Sequence, residues 1–273
     1  MSIELLNKEK LLAVNIEHFP DKTPLIHIES DGDDFPDSVT VRWDYDSDAE
    51  IAYLFYITRH LQENGVKNID LLMPYIPNAR FDRVNNKDEV FTLKYFAEII
   101  NSLHFNHVYV LDAHSNVSLA LINKVKQINV KPVIQETIKD FKPDVLFMPD
   151  EGAHKRYGNM FDMPSTFGIK TRDWRTGNIK NYSLADPESV RDKRVLIIDD
   201  ISSKGGTFYH AGQLLHRSGA KAIGLYISHC EETIIDGKVL NESESYISKV
   251  YTADPLWNEP QGVSVLNNIK IVR

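Results

Sequence analysis

The chain has 273 residues, of which 42% are hydrophobic and 26% are charged, a composition typical of globular proteins with a sizeable core. Its single cysteine, Cys230, excludes an internal disulfide and a multi-cysteine metal site, and fits a reducing compartment. The first residues lack the basic and then apolar pattern of a secretory signal, and the longest mostly apolar stretch, residues 51–57, is too short to span a membrane. We therefore expect a cytoplasmic protein with no membrane partner.

The net charge of −8 is unevenly distributed along the chain. Residues 1–50 contain 13 acidic and 4 basic side chains, whereas the remaining residues contain 26 acidic and 27 basic ones. An acidic surface repels phosphate backbones, so we expect no nucleic-acid partner.

Taken in chain order, short apolar runs alternate with helical patterns. Strands are predicted at residues 39–43, 69–73, 108–111, 145–148, 195–198 and 222–228, and helices near Ile51 and at residues 91–103 and 208–217. Most of the strands end in polar or charged turns. This alternation predicts an α/β fold with parallel strands, whose chemistry lies at the carboxyl ends of the strands.

Two of these runs recur later in the chain. Leu-Met-Pro at residues 72–74 returns as Phe-Met-Pro at 147–149, and Val-Leu-Asp at 110–112 returns as Ile-Ile-Asp at 197–199. The recurrence predicts two related α/β domains, residues 1–138 and 139–273, each with a central, mainly parallel sheet flanked by helices. Chance similarity between short apolar strands is the alternative interpretation.

The most informative segment is residues 195–207, which read VLIIDDISSKGGT. An apolar strand runs into two carboxylates, and a Gly-Gly-Thr turn precedes an amphipathic helix. Paired glycines and a helix N-terminus suit a phosphate, whereas carboxylates suit sugar hydroxyls or Mg²⁺. Ribose 5-phosphate carries both groups. The predicted ribose-phosphate ligands are Asp199, Asp200, Ser202, Ser203, Lys204, Gly205, Gly206 and Thr207.

This segment resembles the phosphoribosyl-diphosphate-binding loop of type I phosphoribosyltransferases and of ribose-phosphate pyrophosphokinases. Residues 74–83 (PYIPNARFDR) resemble a segment of the pyrophosphokinases in which Pro-Tyr is followed by Ala-Arg-x-Asp-Arg. Arg80 and Arg83 have the spacing needed to converge on one polyphosphate, and Asp82 can orient one of them. Residues 110–114 (VLDAH) resemble the family's strand ending in Asp-x-His. That resemblance implies that His114 binds Mg²⁺ and the ATP phosphates and takes part in catalysis.

Three weaker matches follow the order of the same family. Residues 148–153 (MPDEGA) resemble a Pro-Asp loop, which implies that Asp150 binds metal and ribose hydroxyls. Residues 168–172 (GIKTR) resemble the Lys-x-Arg of the catalytic loop, which implies catalytic roles for Lys170 and Arg172. Phe35 and Asp37 resemble part of a segment that holds adenine from a neighbouring subunit.

The resemblance implies two tandem phosphoribosyltransferase-like domains of type I, the first binding ATP and the second binding ribose phosphate. It also implies a homo-oligomer with Mg²⁺ as cofactor. The expected reaction transfers the β,γ-diphosphate of ATP to the anomeric hydroxyl of ribose 5-phosphate and releases AMP.

The phosphate loop departs from the family's usual Asp-Asp-x-x-Asp-Thr-Gly-Gly-Thr. Ser203 and Lys204 replace Asp and Thr, so the local charge changes by +2. A Coulomb term of about 1–4 kcal/mol per unit charge at about 4 Å is enough to favour a more anionic 5′ group. ADP-ribose is therefore an alternative acceptor. Two further alternatives are a phosphoribosyltransferase and a non-catalytic regulatory relative that binds nucleotides and partner subunits.

Overall fold

A computed structural model describes residues 3–8, 10–29, 35–172, 179–256 and 264–265. The described chain divides into two compact units, one ending at Ile128 and the other beginning at Asn129. Within these described ranges, no helix is long and apolar enough to cross a membrane.

The first unit contains eight strands and three helices among the described residues. They are β1 (Ile3–Asn7), β2 (Lys10–Leu12), β3 (Val14–His18), β4 (Pro24–Ile28), β5 (Ser38–Trp43), α1 (Ala49–Glu63), β6 (Asn68–Leu72), α2 (Thr92–Ser102), β7 (Val108–Leu111), α3 (Asn116–Leu121) and β8 (Val125–Ile128). Six strands form a sheet in the order β2-β1-β5-β6-β7-β8, and β3 pairs with β4. The neighbours from β5 to β8 are parallel, whereas β1 is antiparallel to both β2 and β5.

One face of this sheet is built from alternate residues of β5, since successive side chains of a strand point to opposite faces. Val39, Val41 and Trp43 are buried in a core with residues of α1 and α2. The indole of Trp43 donates to Glu50 at 3.0 Å, and the amide of Asp46 donates to the same carboxylate at 2.9 Å. A buried indole needs such a partner, and this one attaches the start of α1 to the end of β5.

The second unit contains seven strands and four helices among the described residues. They are α4 (Lys131–Phe141), β9 (Val145–Met148), α5 (Glu151–Tyr157), β10 (Ser165–Arg172), β11 (Ile179–Leu184), β12 (Arg194–Ser202), α6 (Gly206–Arg217), β13 (Ala222–Cys230), α7 (Lys238–Asn241), β14 (Ile247–Pro255) and β15 (Ser264–Val265). The sheet order is β11-β10-β9-β12-β13-β14-β15. All neighbours are parallel except β10 and β11, which form an antiparallel pair.

Two mainly parallel sheets flanked by helices confirm the predicted fold class. The units divide at residues 128 and 129, whereas the domain boundary predicted at residues 138–139 falls within α4. The recurring strand motifs that predicted two domains do not show where α4 begins, so the predicted boundary was placed inside this helix and not before it.

Strand β12 is longer than predicted. It pairs in parallel with β13 as far as Ser202 with Cys230, so Asp199 and Asp200 belong to the strand and do not follow it. Helix α6 likewise begins at Gly206, two residues before the predicted start at residue 208. The connection between them therefore consists of residues 203–205, which fixes the carboxylates close to the helix N-terminus.

Candidate active site

A cavity of about 610 Å³ lies at the carboxyl end of β12 and the start of α6. It is lined by Asp199, Ile201, Ser202, Ser203, Lys204, Gly205, Gly206, Thr207, Phe208, Glu231 and Thr233. The sequence predicted all of the loop residues from 202 to 207 as ligands of a ribose phosphate. In the structure, these loop residues all line the same cavity.

The glycines of this loop have different roles. Gly205 has a φ of +74°, and a Cβ added to it would lie 2.6 Å from Cγ2 of Val239. A Cβ added to Gly206 would meet nothing within 4 Å. Gly205 is therefore required by the turn itself, whereas Gly206 keeps open the space in front of α6. The first turn of a helix leaves backbone amides without intrahelical partners, and this open space lets an anion approach them.

The two adjacent carboxylates lie in different surroundings. Asp200 is 5% exposed, and its Oδ2 accepts from Nη1 of Arg156 on α5 at 2.6 Å. Asp199 is half-buried and lines the cavity. The protein thus pairs one carboxylate of the motif internally and presents the other to a ligand.

Burial and the neighbouring Asp200 carboxylate raise the pKa of Asp199 well above its ordinary value. The charge of Asp150 acts in the same direction, whereas the amide of Asp200, donating at 2.9 Å, and the charge of Lys170 oppose it. A carboxylate that is costly to ionise gains from sugar hydroxyls or a cation that stabilise its charge.

Asp150 and Lys170 meet beside these carboxylates. Asp150 caps α5, where its Oδ1 accepts from the amide of Ala153 at 3.1 Å. Its Oδ2 lies 3.4 Å from Nζ of Lys170, whose side chain is only 10% exposed. Arg172, the other predicted catalytic residue of this strand, ends β10, and its side chain lies outside the described residues.

The donor set of the second unit suits Mg²⁺ that arrives with a polyphosphate. This cation prefers oxygen ligands and is usually held by one or two carboxylates together with substrate phosphates and water. Asp150 and Asp199 are carboxylates of this unit, and the charge of Asp150 is close enough to raise the pKa of Asp199. Across the described ranges, no group of three or more His, Cys, Asp or Glu side chains could hold a metal without such a substrate. His114, the second predicted ligand, belongs to the first unit.

In the first unit, the residues that follow β6 and β7 lie at one edge of the sheet. These strands are adjacent and parallel, and the carbonyl of Pro74 accepts from the amide of Leu111 at 2.9 Å. Arg80 and Arg83 are exposed after β6, and His114 is half-buried after β7. Nε of Arg83 donates to Oδ1 of Asp82 at 3.2 Å. The structure therefore brings the predicted arginine segment and the predicted histidine to the same edge.

Phe35 and Asp37 lie at the edge of that sheet opposite to Arg80. They precede β5, and parallel strands begin at the edge opposite to the one where they end. The Asp37 carbonyl accepts from the amides of Lys67 and Asn68 at 3.0 Å each, and its carboxylate lies 2.9 Å from Nζ of Lys67. Phe35 packs edge-on against His60 at 5.6 Å. A role of this segment towards a neighbouring subunit remains a prediction.

The sequence analysis assigned no role to three residues that the structure places at the site. Arg156 pairs with Asp200, Glu231 accepts from Ser203 at 2.6 Å, and Tyr182 lies beside Lys170. Glu231 lies three residues after the end of the strand predicted at residues 222–228, so its position was a usable signal. The other two depend on contacts between segments far apart in the sequence, which a local pattern does not reveal.

Known proteins resemble this chain in sequence and in fold. A family model described as a phosphoribosyl transferase domain matches residues 121–257. The ribose-phosphate pyrophosphokinase of Thermococcus kodakarensis is 29% identical over 237 residues, which cover 84% of this chain and 81% of that protein. The ribose-phosphate pyrophosphokinase of Saccharolobus solfataricus is 28% identical over 218 residues, with coverages of 78% and 75%.

A solved structure of phosphoribosylpyrophosphate synthetase from Mycobacterium smegmatis has the same fold. It superposes with a TM-score of 0.76 at 17% sequence identity, covering 94% of this chain and 86% of that chain. This match confirms the fold, and the sequence relatives confirm the resemblance to ribose-phosphate pyrophosphokinases that the motifs predicted.

Proposed function

The chain belongs to the phosphoribosyl transferase domain family and is related to the ribose-phosphate pyrophosphokinases, and from this premise we propose that it is a Mg²⁺-dependent diphosphokinase. The proposed reaction moves the β,γ-diphosphoryl group of ATP to the anomeric hydroxyl of ribose 5-phosphate. The cavity that combines Asp199 with the Gly205–Gly206 turn is the observation that carries the proposal. The Asp199 carboxylate can accept hydrogen bonds from sugar hydroxyls at one end of the cavity, and the Gly205–Gly206 turn can bind an anion at the other.

In this reaction, the anomeric oxygen attacks the β-phosphorus of ATP. The bond between that phosphorus and the α,β-bridging oxygen breaks, AMP leaves, and the hydroxyl proton is lost. Phosphoryl transfer depends on positioning and charge stabilisation more than on covalent help from the protein.

The predicted side chains divide the binding of ribose phosphate and of the polyphosphate between the two units. In the second unit, Asp199 and Asp150 accept from ribose hydroxyls, and the loop with Thr207 holds the 5-phosphate. The ammonium of Lys170 stabilises negative charge on the transferring group, as Arg172 is also proposed to do. In the first unit, Arg80 and Arg83, oriented by Asp82, bind the polyphosphate together with His114.

Mg²⁺, when bound with ATP, supplies charge neutralisation of the polyphosphate, and Asp150 and His114 are its proposed protein ligands. Phe35 and Asp37 are proposed to contact adenine on a neighbouring subunit, which makes a homo-oligomer part of the proposal. A cytoplasmic location remains a prediction from the sequence.

The test of this function is AMP release from ATP with Mg²⁺ and ribose 5-phosphate. Lys170→Ala is expected to lower kcat by about 10²–10³-fold, the order seen when one preorganised charge stabiliser is lost. ATP binding, followed by calorimetry, should persist. Lys139→Ala, which removes an exposed lysine of α4, is the matched control. Near-normal turnover of Lys170→Ala would remove Lys170 from the mechanism.

The main alternative acceptor is ADP-ribose, which would give ADP-ribose pyrophosphate. The hydroxyl of Ser203 is engaged by Glu231, and Lys204 is exposed at the rim of the cavity. The cavity also extends past the loop to Glu231 and Thr233. A cation at the rim and room beyond the loop favour a 5′ diphosphate that carries a further group.

An acceptor comparison decides between these substrates. If ADP-ribose is the substrate, its kcat/KM should exceed that of ribose 5-phosphate, and Lys204→Thr should narrow the difference. If the protein does not turn over ADP-ribose, the proposal that ADP-ribose is the acceptor is wrong. Release of diphosphate from phosphoribosyl diphosphate and a nucleobase would instead indicate a phosphoribosyltransferase. Absence of AMP with every acceptor would indicate a non-catalytic relative.

A further inference from the structure

Tyr182 is a half-buried aromatic residue that none of the motifs includes, yet it contacts the proposed catalytic lysine. Its strand β11 is antiparallel to β10, and Tyr182 lies directly opposite Lys170 in the register. Directly opposite residues of an antiparallel pair are close enough for their side chains to interact.

Two contacts fix the tyrosine at this position. Nζ of Lys170 lies 5.5 Å from the centroid of the Tyr182 ring, within the range of a cation–π interaction. The hydroxyl of Tyr182 donates to the carbonyl of Pro149 at 3.1 Å. Pro149 immediately precedes Asp150, whose carboxylate lies 3.4 Å from the same Nζ. The ring therefore joins the strand that carries Lys170 to the turn that carries Asp150.

Gly168 leaves the space through which the side chain of Tyr182 reaches the carbonyl of Pro149. A Cβ added to Gly168 would lie 2.7 Å from the Tyr182 hydroxyl and 2.7 Å from the Pro149 carbonyl. Gly168 opposes Leu184, so it lies diagonally across from Tyr182. A glycine inside a strand often marks a place where another group must approach closely. Here the group that approaches is the tyrosine ring on its way to Pro149.

The surroundings favour a phenol that does not ionise. Burial, together with the charges of Asp150 and Asp199, raises the pKa of Tyr182 above its ordinary value. The hydroxyl therefore stays a hydrogen-bond donor and does not serve as a base. This leaves the ring as a neutral surface that covers one side of Lys170, whose side chain is 10% exposed.

We propose that Tyr182 is the positioning residue for Lys170, holding its ammonium over the aromatic ring and beside Asp150. This inference rests on the proposed function, because it assigns Tyr182 a role in the same transfer. Tyr182 touches neither substrate in this scheme. It limits the positions of a long side chain whose rotamers would otherwise have to be ordered during the reaction.

The test is a double-mutant cycle on turnover. Tyr182→Leu is expected to lower kcat about tenfold with little change in KM, the order expected when a desolvated cation–π contact is lost. Tyr182→Phe keeps the ring and loses only the bond to Pro149, so its loss should be about two- to threefold. Tyr251→Phe, which removes a hydroxyl bonded to Asp140 elsewhere in the unit, is the matched control and should match wild type.

The combination with Lys170→Ala separates positioning from a structural role. If Tyr182 acts through Lys170, adding Tyr182→Leu to Lys170→Ala should cause no further loss of kcat. An additional tenfold loss on that background would overturn the inference and leave the proposed function intact. Normal turnover of Lys170→Ala itself would overturn the role of Lys170 in the proposed function.

A spectroscopic measurement tests the contact without turnover. In protein with ¹³C-dimethylated lysines, the Lys170 resonance, identified by its absence in Lys170→Arg, should be shifted upfield by the ring in wild type and in Tyr182→Phe. The shift should disappear in Tyr182→Leu. An unshifted wild-type resonance would overturn the inference even if no acceptor substrate is found.

Discussion

The carboxyl edges of the two sheets carry charged side chains in different settings. In the second unit two charges are buried or half-buried and held by protein partners, Asp200 by Arg156 and Lys170 by Asp150. In the first unit Arg80 and Arg83 are exposed on the segment after β6. The second edge is thus preorganised around a small cavity, whereas the first presents long cations towards solvent.

This difference has an energetic consequence. Removing a partner from a buried charge costs stability, whereas an exposed charge contributes little to folding. Variants of the second edge should therefore change both the free energy of unfolding and kcat. Variants of the first edge should change substrate affinity alone.

The largest effect is expected from Arg156→Ala. It deprives the buried Asp200 of its guanidinium partner, and since Arg156 is itself partly exposed we expect the free energy of unfolding to fall by about 1–3 kcal/mol. Turnover should fall as well, because Asp200 adjoins Asp199. Urea unfolding and AMP release measure the two effects. An unchanged free energy of unfolding in urea would show that the ion pair between Asp200 and Arg156 does not stabilise this edge of the sheet.

The next prediction, for Arg80→Ala, distinguishes the carboxyl edge of the first sheet from that of the second. Arg80→Ala should raise the KM for ATP about tenfold, the order expected for one charge-assisted contact to a phosphate, and leave Tm unchanged. Arg191→Ala is the matched control, because it removes an arginine paired only at the surface with Glu188. A fall in Tm of Arg80→Ala comparable to that of Arg156→Ala would contradict the comparison.

Asp199→Asn is expected to change the free energy of unfolding by less than Arg156→Ala does, and with the opposite sign. The amide removes the cost of charging a buried carboxyl beside Asp200, so Tm should rise by about 2–4 °C if the gain is about 1 kcal/mol. Turnover should be lost, because Asp199 is the carboxylate that faces the cavity. Calorimetric melting in the absence of Mg²⁺ measures the gain.

The pH dependence of this gain follows from the raised pKa of Asp199 in the folded protein. The wild-type carboxyl is protonated in both states below the ordinary aspartate pKa of about 4, so the two proteins should be equally stable there. Wild type loses stability as the pH rises towards the folded-state pKa. The advantage of Asp199→Asn should therefore grow with pH and then level off, and a gain that shrinks with pH would contradict this assignment.

Local patterns predicted the parts of the fold that depend on local chemistry. Apolar runs located the cores of β6, β7, β9 and β12, and the Gly-Gly-Thr turn located the connection between β12 and α6. The positions of Arg80 and His114 at one edge also followed from parallel strands that end together. These features can be predicted without knowing which distant segments of the chain are in contact.

The remaining features depend on contacts between distant segments. Arg156 reaches Asp200 across 44 residues, and Tyr182 reaches Pro149 across 33 residues. The length of β12 was set by its pairing with β13, so the apolar run alone ended too early. Phe35 precedes a parallel strand and Arg80 follows one, so the two lie at opposite edges of the sheet, and the predicted contact of Phe35 with adenine of a neighbouring subunit stays a prediction.

The most direct test of the proposed diphosphoryl transfer uses ATP that carries ¹⁸O in the α,β bridge, with Mg²⁺ and the acceptor that gives turnover. Attack of the anomeric oxygen at the β-phosphorus breaks the bond between that phosphorus and the bridge, so the label should leave with AMP and appear as an isotope shift in its ³¹P NMR signal. Label found in diphosphate, or no AMP at all with ribose 5-phosphate and ADP-ribose, would contradict the proposed diphosphoryl transfer.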